Sequence, residues 1–167
     1  MPIAATSRDW VDYLVSLTPI CVALFAAFIG WRQSNFTKEK LRLDLYNKRF
    51  DVYEKTLFFH QAISMYDGSK NEVFQAQLRD FSKAMKESQF LFDESSGIYA
   101  TLSKLHADSF KVIGFKEGAG KEVFDSGDHV TFSKMHTDMQ DTLTSFAFRI
   151  DSIEKAIAPY LNFHRIA

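Results

Sequence analysis

The sequence predicts an all-α protein: one N-terminal transmembrane helix continuous with a cytoplasmic helical bundle of about four helices. Three observations carry this reading. Nineteen residues, Tyr13 to Trp31, pass without a charge. Behind them, apolar residues recur at three- and four-residue steps, the period of one helical face. Only three prolines and seven glycines occur in 167 residues, so long helices are unhindered. The expected division is an extracytoplasmic segment at 1–12, a span at 13–31 and a cytoplasmic domain at 32–167.

The span comes first. A bilayer-crossing helix needs about 20 predominantly apolar residues. Trp10 and Trp31 flank this one, roughly 31 Å apart at the helical rise per residue. That separation matches the hydrocarbon thickness, and tryptophans favour both interfaces, so these two are the expected membrane anchors. A buried core helix would carry a polar stripe, which is almost missing here. A secretion signal would start basic and end at a small-residue cleavage site. This start mixes Arg8 with Asp9 and Asp12, and basic residues follow the apolar run. One basic residue precedes the span; Arg32, Lys38, Lys40, Arg42, Lys48 and Arg49 follow it. The excess of positive charge on the cytoplasmic side predicts a single-pass inner-membrane protein with its C-terminal domain in the cytoplasm. The lone cysteine, Cys21, falls inside the span, so no disulfide framework is expected.

The soluble part reads as helices in series. Phe36, Leu43, Tyr46, Phe50, Tyr53 and Leu57 form one apolar face over 36–66, ended by the turn Asp67-Gly68-Ser69. No proline or glycine separates this helix from Trp31. A second helix carries Phe74, Leu78, Phe81 and Met85, and Asp93 to Gly97 breaks it. A third carries Ile98, Leu102, Leu105 and Val112. The glycine-rich stretch Gly114 to Asp128 reads as a mobile loop. The fourth helix is the most regular, from Phe132 through Met139, Leu143 and Phe146 to Ile157, and Pro159 stops it.

Searches for catalytic chemistry come back empty. "GFKEGAGKE" has one residue too many before its Gly-Lys for a phosphate loop, and Glu122 stands where a hydroxyl is needed. His129 and His136 are seven apart without a cysteine partner or zinc-protease spacing, so no metal is expected. No serine-nucleophile signature appears. The expectation is a protein that is not an enzyme and uses no cofactor. Net charge is −1, which does not advertise nucleic-acid binding by the chain as a whole.

Two features rise above this background. Ser16, Ala23, Ala26, Ala27 and Gly30, with Pro19, fall on one face of the span. Small faces let helices approach closely in lipid, where packing drives association. Such residues are also simply common in membrane helices. If the face does associate, it is an oligomer interface, and a pore is a special case because one span lines a channel only as an oligomer. Leu24, Phe25 and Phe28 lie opposite and suit lipid. The second feature is the segment Thr37 to Lys55, with six basic against four acidic residues. Its charges serve topology and headgroup attraction, about 1 kcal/mol per basic residue near the surface. In a symmetric oligomer the same charges repeat around an axis. Lys38, Lys40, Arg42, Lys48 and Arg49 would then bind an anion such as a nucleotide or oligonucleotide. Phe36, Tyr46, Phe50 and Tyr53 have the chemistry to stack bases, but their helical spacing assigns them to the core.

Three blocks in order, "KLRLDLYNKRFDVYEKT", "QFLFDESSGIYATLSKL" and "FRIDSIEKAIAPYLNF", resemble a widespread group of small bacterial membrane proteins. These have one or two spans before a cytoplasmic helical domain. The group includes effectors of the Hailong type in anti-phage defence, which pair with a nucleotidyltransferase that makes a DNA signal. The resemblance implies a homo-oligomeric channel, with a tetramer favoured, whose state is set by a nucleotide or single-stranded DNA ligand. It carries over no ligand motif residue by residue. The alternative expectation is a passive anchor whose helical domain recruits a partner protein.

Overall fold

The computed structural model describes residues 6–69 and 71–162, and for 6–14 and 16 the backbone alone. Among the described residues the chain is helical, with no strand. Four helices are long: α1 (Thr6–Met65), α2 (Glu72–Leu91), α3 (Ile98–Gly114) and, after the short α4 (Gly120–Asp125), α5 (His129–Ile157). The chain divides into two compact units, Met1–Leu43 and Asp44–Ala167, and the boundary falls inside α1.

The second unit is built on one apolar core. Phe59 of α1 lies flat on Phe81 of α2, with ring centroids 4.4 Å apart and planes 2° from parallel. Around that stack α3 buries Ile98, Leu102, Leu105 and Val112, the four residues that its spacing singles out. α5 buries Met139, Phe146, Ile150, Ile153 and Ile157, while Leu143 packs at the edge. Apolar burial at three- and four-residue steps is what holds such helices together, since propensity alone is marginal.

α1 turns a different face inward from the expected one, with Tyr53 and Leu57 of the expected stripe packed at its edge. Val52, Thr56, Phe59 and Ile63 are fully buried. Phe36 and Phe50 stay 62% and 42% exposed, and Leu43 is exposed as well. Both stripes have the helical period, so spacing could not rank them. Thr56 disguised the true one. Its hydroxyl donates to the Val52 carbonyl at 2.7 Å, which lets a polar side chain enter the core without an unmade hydrogen bond.

The turns are fixed by short polar side chains. Asp67 accepts hydrogen bonds from the backbone N–H and the hydroxyl of Ser69. Asn71 caps α2 by accepting from the Val73 N–H at 2.8 Å, and Asp128 caps α5 by accepting from Thr131 at 3.0 Å. Pro159 sits in the short 3₁₀ turn that closes α5.

The glycine-rich stretch is not a loop. Residues 115–119 join α3 to α4 through a kink at Gly118, whose φ of +148° is a conformation that a side chain would strain. The turn after α1 docks onto this segment. A Cβ on Gly68, at φ +89°, would lie 2.1 Å from the Lys116 carbonyl oxygen, so only glycine fits. Lys116 Nζ donates to the Tyr66 carbonyl at 2.6 Å, and the Tyr66 hydroxyl donates to Glu117 at 2.7 Å. Burial and that bond to a carboxylate push the Tyr66 hydroxyl up to about 12. Glycines that read as flexibility in the sequence serve close packing here.

Truncation separates the two stripes. Phe146→Ala removes a fully buried ring and is expected to cost about 3–5 kcal/mol. Phe50→Ala is expected to cost under about 1 kcal/mol. Chemical denaturation of the detergent-solubilised chain measures both, and equal losses would contradict the assigned core.

Candidate membrane segment and anion-binding residues

In the first unit no described side chain of α1 is buried. α1 is the one helix among the described residues long and apolar enough to cross a membrane. A secretion signal meets the same test of length and composition. A soluble core helix meets it too, with its apolar window mostly covered; here 0% of the window is buried. Leu24 is 67% exposed, Phe25 65% and Trp31 64%. The Trp31 and Phe28 rings lie 6.4 Å apart between centroids. The side chains of Trp10 and Ser16 lie outside the described residues.

The small face is open. Ala23, Ala26 and Ala27 are exposed. An added Cβ on Gly30 would meet nothing within 4 Å. Pro19 lies inside α1 on this same side and has no N–H to give to the carbonyl one turn back. Cys21 carries a free, exposed thiol.

The basic residues separate into two kinds. Lys38, Lys40 and Arg42 project from α1 in the first unit, all exposed. Lys48 is exposed in the second unit, in a shallow groove with Asp44, Asn47, Asp51 and Lys55. There Lys55 pairs with Asp51 at 2.7 Å. The hydrogen bond to that carboxylate raises the Lys55 amine above its ordinary range despite partial burial.

Arg49 is committed elsewhere. Its Nε donates to the Leu91 carbonyl at 3.0 Å. Its guanidinium lies over the Tyr160 ring at 5.1 Å and the Phe92 ring at 5.9 Å. The two rings meet edge to face at 5.3 Å. One cation thus closes the end of α2 and the residues after α5 onto α1, an arrangement favoured by the negative faces of both rings. The signal for it was present as Phe92 and Tyr160, two aromatics placed just past helix ends. Tyr53 supplies a second strap, its hydroxyl donating to Glu154 at 3.0 Å.

Asp108 and two histidines take part in packing. Asp108 of α3 accepts from Arg149 of α5 at 2.7 Å and from Lys111 at 2.7 Å. Burial pushes its carboxyl up, but the two cationic donors outweigh that and hold it below its ordinary range. His129 and His136 lie against the rings of Phe124, Phe132 and Phe115. Among the described residues no group of three or more His, Cys, Asp or Glu is placed to hold a metal ion. No buried side-chain nitrogen or oxygen among them lacks a partner.

No protein-family model matches this chain, and neither a curated protein nor a solved structure does.

Neighbouring cations on α1 are therefore expected to respond differently to truncation. Arg49→Ala should lower unfolding stability by about 1–3 kcal/mol, the range for losing a charged hydrogen bond. Lys48→Ala should change it by less than about 0.5 kcal/mol. Denaturant titration of both variants decides the assignment; an Arg49 variant as stable as the Lys48 variant would remove the clamp.

Proposed function

We propose that this chain is an oligomeric inner-membrane effector. Residues 13–31 cross the bilayer, and copies meet through the small face of Ala23, Ala26, Ala27 and Gly30, with Ser16. The domain behind lies in the cytoplasm and answers to an anionic ligand, a nucleotide or oligonucleotide. A change of state in the assembly then forms or gates a path through the membrane. The resemblance of the three sequence blocks supports a role in anti-phage defence.

One observation carries the reading: an apolar helix whose described window has no buried residue, with small residues gathered on one side. Lipid covers leucine and phenylalanine as well as protein does, so the large-residue side needs no partner. The small side gains contact only from a helix that comes close. Pro19 supports the same side as a contact, since a neighbouring helix can satisfy the carbonyl it leaves without its usual donor. Lys38, Lys40, Arg42 and Lys48, multiplied by the copy number, supply a ring of positive charge for the ligand. Arg49, held by two rings and a carbonyl, supports the domain instead.

Bulk on the small face tests this. Ala27→Leu and Gly30→Leu keep the span apolar and insertable, and within one chain the space at Gly30 is empty. Any effect at Gly30 then comes from a neighbouring molecule. Both variants are expected to lose the higher-order species seen by cross-linking in detergent, and to lose depolarisation of the inner membrane on overexpression. Phe25→Leu, on the lipid side, should keep both. Small-face variants that stay oligomeric and depolarising would refute the interface. An oligomeric wild type that never depolarises would leave the passive anchor that recruits a partner protein.

A further inference from the structure

The outer face formed by α2 and α3 has a pattern that neither the core nor the proposed ligand ring uses. Arg79, Lys83, Lys86 and Phe90 step along α2 by four, three and four residues, so they share one side, and all are exposed. Tyr99 and Phe110 lie on one side of α3 with His106 between them. The two sides are held next to each other by the Ser82 hydroxyl and His106 Nε2, 3.0 Å apart. The His106 ring meets Phe110 edge-on at 5.0 Å. Burial, and then the charge of Lys86, hold His106 below its ordinary range. A shallow groove runs beside Lys83, Lys86 and Phe90.

Charge and exposure favour one kind of partner. The face carries three cations against two carboxylates, Glu72 in the groove beside Arg79 and Glu87 3.8 Å from Lys83. Aromatic rings stand at both ends: Phe90 is 82% exposed, and Phe110 is 52% exposed. A phenylalanine this open, next to lysine stems, suits the boundary between headgroups and acyl chains, where rings enter and amines reach phosphates. A nucleic-acid strand would meet only three cations on a chain of net charge −1.

We infer that this α2–α3 face lies on an anionic phospholipid surface, with Arg79, Lys83 and Lys86 on headgroup phosphates and Phe90 and Phe110 in the interface. The inference rests on the membrane-anchor reading, because a tethered domain meets lipid at a high effective concentration and three weak contacts then suffice.

The test uses the full chain with Cys21→Ser and Gln89→Cys, the new thiol carrying a nitroxide beside Phe90. It is reconstituted in vesicles of pure phosphatidylcholine, or of equal parts phosphatidylcholine and phosphatidylglycerol. Accessibility of the nitroxide to a water-soluble relaxation agent is expected to fall several-fold in the anionic vesicles alone. Arg79→Glu, Lys83→Glu and Lys86→Glu together should restore it, and so should Phe90→Ala with Phe110→Ala. A nitroxide at Thr137→Cys on α5 should stay accessible throughout. Equal accessibility at Gln89→Cys in both vesicles overturns the inference. So does protection that appears only when oligothymidylate is added, which would assign the face to nucleic acid. Alkaline extraction of the same vesicles tests the anchor separately: a chain washed out of them fails that reading, whatever the nitroxide reports.

Discussion

Apolar surface that a chain does not cover has to be covered by something else, and α1 from Val15 to Trp31 carries a long run of it. Each square ångström of it left in water costs about 25 cal/mol. Val15, Leu17, Ile20, Leu24, Phe25 and Phe28 are all exposed along one helix. Lipid answers this for the large side chains. The small ones, from Ala23 to Gly30, bring little surface and so profit most from close packing with another helix. The second unit has the opposite economy. Its rings stack inward, Phe59 on Phe81 and Tyr66 on Phe74, and its helix ends are strapped by hydrogen bonds.

The number and order of helices were legible because their apolar spacing is regular and their breaks are chemically marked. Asp67-Gly68, Asp93 to Gly97 and Pro159 all end helices where the sequence says they should. The α1 core face was not legible, because Phe50 and Val52 belong to two stripes with the same period and Thr56 interrupts the one that packs. The stretch 114–128 was misread because glycine signals both freedom and closeness. Gly68 and Gly118 show that contact with a distant segment, invisible locally, decides which of the two applies.

Of the candidate site, Lys38, Lys40, Arg42 and Lys48 are exposed. Arg49 is half-buried, because a guanidinium one residue along the helix finds two rings and a carbonyl within reach. Position on a helix thus separates a cation available to ligands from one absorbed by packing. The α2–α3 face escaped attention in the sequence, since its basic and aromatic residues come from two helices and join only in the fold.

The bilayer location of α1 is the claim on which the functional reading depends, and the chain carries its own probe for it. Cys21 is the lone cysteine, exposed on the helix and inside the proposed span. Opened inner membranes, in which reagent reaches both faces, are treated with a charged, membrane-impermeant maleimide. The account predicts no labelling of Cys21 until detergent dissolves the bilayer, and full labelling afterwards. Ready labelling in the intact bilayer would place this residue in water and contradict the span.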